Sequence, residues 1–215
     1  MATDKPSKRT RQALKAIEDA VFSLLAEKEF ESVTAQEIYR RANVNKMTFY
    51  KYHNNKYDAL AKAFTSRVNE EFDSEIAHWV GEQRNLDTEE ANYLGLMFTA
   101  DFIERYHIQF SHLVSAAGDL PKDVVFSALF ANYRPYFAYV TGQELNATNE
   151  YLVHFAFGAL RSICECQMQH LAKNPASGAP KQDVQKACRI IAKSFSLLLN
   201  TLREGENTQN SDSAA

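Results

Sequence analysis

Residues Thr34 to Lys56 read TAQEIYRRANVNKMTFYKYHNNK. The run brings together a hydroxyl at Thr34, an amide at Asn45, ammonium groups at Lys46, Lys51 and Lys56, a hydroxyl at Thr48 and a phenol at Tyr50, with Met47 as the apolar exception. Side chains of these types hold phosphate oxygens and address the edges of bases. Elsewhere the chain offers no paired carboxylates in acid/base geometry, no Ser-His-Asp set and no Gly-rich phosphate loop, so its chemistry is read as binding and no enzymatic activity is expected.

Helical signals frame this run. Thr34-Ala35-Gln36-Glu37 is a capping box, in which the Thr hydroxyl accepts from the Glu37 amide and the Glu37 carboxylate reaches back. Ile38 and Ala42 face inward from the helix it opens. Asn43-Val44 turns the chain, Asn being one of the few residues other than Gly that tolerates a left-handed conformation. Asn45 caps the next helix, which runs to about Tyr52. Before the motif, Ser7 caps a helix reaching about Lys28 whose stripe is Leu14, Ile17, Val21, Leu24 and Leu25. Lys8, Arg9 and Arg11 stand at its start. After the motif, Asn55 caps a helix carrying Leu60, Phe64, Val68, Phe72 and Ile76. Those steps of four turn the apolar face by about 160° along its length, as a connector between two bodies requires.

The rest of the chain supports an all-helical protein. At 215 residues it can bury a sizeable core, and seven Gly and five Pro are few. Residues 1–56 carry a net charge of +4 and the remainder −7. This asymmetry fits a polyanion-binding module on an acidic body. Pro135 is expected to kink or break the seventh helix. The last two helices, expected over about 148–172 and 181–203, repeat apolar or small residues at steps of three and four. Phe155, Ala159 and Ile163 mark the first, Ile191, Phe195 and Leu198 the second, with Ile190, Leu197 and Leu199 widening the face. Two such helices from each of two copies would form a four-helix dimer interface. The polar tail 205–215 is expected to be disordered. Cys164 and Cys166 point to opposite sides of one helix and cannot share a metal, so no metal site and no cofactor is expected. The N-terminus lacks the apolar run of a secretory signal and no stretch reaches the length of a membrane span, which implies a cytoplasmic protein.

Thr34, Ile38, Ala42, Val44, Lys46, Thr48, Phe49, Tyr50, Lys56 and Leu60 stand where the TetR family of bacterial transcription regulators shows its signature, and the first quarter of the chain resembles that family. Asn43 replaces its usual Gly, Asn45 its usual Ser, and Tyr52-His53 its usual His-Phe, which puts an imidazole where an aromatic core residue is expected. The resemblance implies an all-α fold: a three-helix helix-turn-helix domain, a connector helix, and a C-terminal helical regulatory and dimerisation domain. The divisions expected are 7–56, 57–204 and the tail. It further implies that the third helix enters the major groove, with Thr34, Tyr50 and Lys56 on phosphates. Lys46, Met47, Thr48 and Lys51 are the candidates for base edges or neighbouring phosphates, Met47 against a thymine methyl, and the cap Asn45 is counted with the DNA-binding residues. Phe49 turns inward.

For the body, the resemblance implies an inducer site, to which the sequence could contribute Trp79, Phe98, Phe102, His107, Phe126, Phe130 and Tyr133. The reading that follows is a homodimeric repressor that binds a palindromic double-stranded operator and is released by a small-molecule inducer. The rival reading keeps DNA binding but gives the body a protein partner instead of a small molecule, as in an activator.

Overall fold

The computed structural model describes residues 7–81, 88–113, 119–141, 147–173 and 180–212, which contain helices and no strand. The helices are α1 (Lys8–Leu25), α2 (Ala35–Arg41), α3 (Lys46–Tyr52), α4 (Lys56–Gly81), α5 (Thr88–Arg105), α6 (His107–Ser111), α7 (Leu120–Thr141), α8 (Ala147–Lys173) and α9 (Lys181–Asp212), with a 3-10 turn at Phe30–Ser32 between α1 and α2.

Local chemistry sets the ends of the first helices as the sequence predicts. The Ser7 hydroxyl accepts from the Thr10 amide, the Thr34–Glu37 box closes in both directions, and Asn45 Oδ1 accepts from the Thr48 amide at 2.7 Å. Asn55 Oδ1 accepts from the Asp58 amide in the same way at 2.9 Å. Asn43 holds a φ of +52°, so it supplies the left-handed step that lets α2 turn into α3. Its amide donates to Arg40 O and that of Val44 to Tyr39 O, which satisfies carbonyls at the end of α2.

The chain divides into two compact units, Met1–His78 with Tyr106–Tyr133, and Trp79–Arg105 with Arg134–Ala215. In the first, Ile17, Leu25, Ile38, Phe49, Leu60 and Phe64 are fully buried together with Phe30, Phe110 and Leu113. Phe64 is the hub: its ring lies 4.8 Å from Phe22 of α1 and 5.1 Å from Phe110 of α6. This unit cuts across the boundary expected at residue 56, because α4 through His78 and all of α6 pack with the helix-turn-helix rather than with the body. Along α4, Leu60 and Phe64 are buried and Val68 and Phe72 half-buried. The side chain of Ile76 lies outside the described residues.

The second unit is built on α5, α8 and α9. Leu96 and Ala100 of α5 meet Ile163 of α8 and Cys188 and Ala192 of α9 in one cluster, edged by Tyr93, Met97, Leu160, Val184 and Ile191. The Arg189 guanidinium lies 3.5 Å from the centre of the Tyr93 ring and pairs with Glu90, tying α9 to α5.

Two expectations about helix ends are revised. Helix α7 passes through Pro135 unbroken, with the ring nitrogen lacking the donor that residue 131 would receive. Helix α9 continues to Asp212, past the tail boundary expected at residue 205. Arg203, Glu204 and Glu206 are good helix formers, and the single Gly205 costs only about 1 kcal/mol against Ala.

The backbone at residue 43 gives a direct test. Replacing Asn43 by Val should destabilise the first unit by about 1–2 kcal/mol, whereas Asn43→Gly should hold or raise stability. Thermal unfolding followed by circular dichroism checks both; equal midpoints for the Val and Gly variants would contradict a left-handed requirement.

Candidate nucleic-acid interface

Helix α3 buries one side and leaves the other bare. Phe49 is fully buried, its ring 5.3 Å from His53, 5.2 Å from Tyr50 and 6.2 Å from Tyr39. On the opposite face Asn45, Lys46, Met47, Tyr50 and Lys51 are exposed, Met47 to 83%, while Thr48 is half-buried. Met47 is the one large aliphatic side chain on this otherwise polar and aromatic face. Lys46 lies 6.0 Å from the Tyr50 ring centre and Lys51 5.2 Å from that of Tyr52.

The start of α1 is tied to this helix. Thr10 Oγ1 and the Tyr52 hydroxyl are hydrogen-bonded at 3.3 Å, which sets Lys8, Arg9 and Arg11 near the end of α3. Sequence reasoning did not single out Tyr52 for this; a hydroxyl-to-phenol bond across 42 residues leaves no local signal. None of Lys8, Arg9, Arg11, Lys46 and Lys51, all exposed, forms an ion pair among the described residues. Lys15, Lys28, Arg41, Lys62 and Arg67 are by contrast each paired with a carboxylate. Uncompensated positive charge is therefore gathered at α3 and the start of α1.

Thr34 is exposed at the start of α2, and its hydroxyl serves the capping box. Oγ1 accepts from the Glu37 amide at 3.2 Å and donates to the Glu37 carboxylate at 2.9 Å, which also accepts from the Thr34 amide at 2.9 Å. Lys28 donates to the other carboxylate oxygen at 2.6 Å. The Lys28 bond, followed by the two from Thr34, holds the Glu37 carboxyl down to about 2.

Lys56 departs from the phosphate role that the resemblance implies. Its ammonium group turns inward and donates to the carbonyls of Phe30 at 3.2 Å, Glu31 at 3.1 Å and Val33 at 3.0 Å, with the Glu31 carboxylate at 3.5 Å. Three carbonyls match the three donors of an ammonium. The side chain is only 19% exposed and lies over the rings of Phe30 and Tyr57. In this state it holds the 3-10 turn and is not free for phosphate.

His53 fills the aromatic position with a buried imidazole, 2% exposed, whose two nitrogens find no hydrogen-bond partner. Burial, and then the nearby Lys62 charge, lower its pKa against a smaller opposing effect of Asp58, so the ring is neutral.

The aromatic residues expected around an inducer fall into both units. Phe98 and Phe102 lie on α5 in the second unit with ring centres 6.0 Å apart. His107, Phe126 and Phe130 belong to the first unit. The side chains of Trp79 and Tyr133 lie outside the described residues.

The expected dimer stripe also splits. Phe155 and Leu198 are exposed and Ala159 and Ile191 half-buried, but Ile163 and Phe195 are buried in their own chain. The inward face of α9 is Cys188, Ala192, Phe195 and Leu199; its bare apolar residues are Ile190, Leu197 and Leu198, matched on α8 by Tyr151 and Phe155. Burial pushes the Cys164 thiol up to about 12 and that of Cys188 up to about 11, so both are inert packing residues.

A capped two-helix turn with a bare, positively charged second helix defines the class, a helix-turn-helix unit. Comparison with known proteins finds likeness in sequence over this segment and likeness in fold over most of the chain. Residues 17–63 match the model of the bacterial regulatory proteins, tetR family. An uncharacterized HTH-type transcriptional regulator, YdeS of Bacillus subtilis (strain 168), is 41% identical over 56 residues, 26% of this chain and 28% of the relative. The match thus spans little more than a quarter of that relative.

Solved structures resemble the chain over most of its length. A TetR transcriptional regulator from Rhodococcus sp. RHA1 superposes with a TM-score of 0.54 at 16% identity, covering 89% of this chain and 98% of that one. The regulator FadR from Bacillus subtilis, in complex with stearoyl-CoA, gives 0.54 at 14% identity over 84% and 96%. The fatty acid degradation regulator FadR from Bacillus halodurans gives 0.51 at 16% over 89% and 96%. At such identities the likeness is one of fold. The match to the tetR family model is confined to residues 17–63, the segment that holds the helix-turn-helix.

The buried imidazole makes the domain acid-sensitive. The unfolded chain takes up a proton on His53 near the ordinary value of about 6.5, which the folded chain resists, so stability falls as pH drops through that value. Removing the imidazole with His53→Phe should raise the unfolding midpoint and flatten its decline between about pH 7.5 and about pH 5.5. A decline just as steep in the variant would place the acid sensitivity elsewhere.

Proposed function

We propose that the chain is a homodimeric transcriptional repressor that reads a palindromic double-stranded operator through α3. The observation that supports this most is the unpaired positive charge of Lys46, Lys51 and the start of α1 around an exposed Met47. Lys46 and Lys51 hold phosphates or base edges, Asn45, Met47 and Thr48 address bases, and Thr34 and Tyr50 add phosphate contacts. Lys56 contributes from behind, by fixing the turn that precedes α2. In functional terms residues 7–56 bind DNA, and 57–204 regulate and dimerise. The bare apolar residues Tyr151, Phe155, Ile190, Leu197 and Leu198 form the face that a second copy covers. Among the described residues no helix is long and apolar enough to cross a membrane, in keeping with a cytoplasmic regulator.

An inducer in the helical body releases the operator, through a difference in its affinity for the two states. Phe98 and Phe102, whose rings lie together on α5, are the contributors proposed to its site. Stearoyl-CoA, bound by the Bacillus subtilis FadR, is the first compound to try. The net −7 of residues 57–215 supports a second reading, in which the body engages a basic protein surface. Thermal shift separates the two: a compound that stabilises the protein and releases it from DNA favours the inducer, and a partner that co-purifies while no compound acts favours the protein.

Sequencing the duplexes that the purified protein retains from a random pool should return a palindrome. Lys46→Ala and Lys51→Ala should each lower the slope of log affinity against log salt by about 1. Loss of no slope in either variant, or retention of no preferred sequence, would remove α3 as the reading element.

For the dimer, Leu197→Glu should produce monomers in analytical ultracentrifugation and weaken operator binding. A Leu197→Glu dimer as tight as wild type would place the interface elsewhere.

A further inference from the structure

The 3-10 turn at Phe30–Ser32 receives bonds from two helices distant in sequence. Lys56, at the start of α4, holds its carbonyls. The other bond comes from His112, just past the end of α6. Its Nδ1 stands 2.6 Å from the carbonyl of Leu25, the last residue of α1, and its own carbonyl accepts from the Phe30 amide at 2.9 Å. A carbonyl can only accept, so Nδ1 carries the proton.

Leu25 O is one of the carbonyls that a helix end leaves without an intrahelical partner. The Phe30 amide opens the 3-10 turn. A single residue thus closes both ends of the link between α1 and the turn. His112 is itself anchored: its neighbours Phe110 and Leu113 are 1% and 0% exposed, and its amide donates to Ile108 O at 3.2 Å. Beyond the turn come buried Val33 and then Thr34, the cap of α2. The path from the end of α6 to the helix-turn-helix is therefore continuous, and all of it lies within the first unit.

We propose that His112 is a positioning residue for DNA recognition: it holds the start of α2, and through it α3, in register with α6. The proposal rests on the DNA-binding reading above. A displacement of α6 would strain the Leu25 and Phe30 bonds, alongside the packing of Phe110 on Phe64.

Three variants of the full chain test it. His112→Asn carries an amide nitrogen on Cγ, where Nδ1 stands, and keeps the donor. His112→Leu keeps bulk without a donor, and His112→Gln moves the donor one atom outward. With the duplex selected from the random pool, Leu and Gln should weaken specific binding by about tenfold, the most that one hydrogen bond supplies, and Asn should restore it. Affinity for an unrelated duplex should be unchanged in all three, since exposed cations supply it.

Hydrogen exchange of peptides covering residues 26–33 gives a readout that needs no DNA. Protection should fall in the Leu and Gln variants and persist in Asn. Uniform behaviour of the three variants, or equal losses on specific and unrelated duplexes, would overturn the proposal. Wild-type protein that retains no duplex would instead refute the DNA-binding reading, while exchange would still decide whether His112 holds the turn. Should the Leu variant fail to fold, the Asn and Gln pair carries the comparison.

Discussion

Helix α3 has seven residues, well short of the twelve or so at which an isolated helix becomes even marginally stable in water. Its existence rests on the burial of Phe49, and the rest of the helix-turn-helix is arranged to make that burial possible. Tyr39 of α2 and Tyr50 and His53 of α3's own end surround the ring. Asn45 satisfies a first-turn amide and the left-handed Asn43 brings α2 close enough to share the core. Once Phe49 points inward, helical geometry forces Met47, Tyr50 and Lys51 outward. The exposed face of α3 is thus the complement of one buried ring.

Charge is distributed on the same logic. Cations that serve the fold meet carboxylates or carbonyls: Arg41 with Glu27, Lys28 with Glu37, Lys56 with the 3-10 turn. Lys46 and Lys51 form no ion pair among the described residues. Exposed ion pairs contribute little stability, so leaving Lys46 and Lys51 unpaired costs the fold little and leaves them free for a polyanion.

The parts legible in the sequence were those fixed by neighbours along the chain. Ser7, Thr34, Asn45 and Asn55 bond amides three residues on, and their types alone locate the helix starts. Phe49 follows from periodicity. The parts that escaped depend on long-range geometry. Lys56 could be assigned to phosphate because nothing local shows that the carbonyls of residues 30, 31 and 33 surround it. His112 reaches a carbonyl 87 residues away. Ile163 and Phe195 satisfy a stripe of threes and fours, yet such a stripe on a wide apolar helix fits an inward face as well as an outward one. Only the position of α5 decides between them.

Met47 and its neighbour Thr48 differ in stiffness as well as polarity. Thr48 is β-branched, half-buried and confined at χ1. Met47, almost wholly exposed, keeps three rotatable bonds and a polarizable sulfur. Any surface that orders it must offset a side-chain entropy of about 1.5–2 kcal/mol. In return it can settle into more than one shape. The helix therefore presents a rigid probe beside a compliant one. Selectivity should be sharp where Thr48 touches and graded where Met47 does, a division of tolerance written into two adjacent residues.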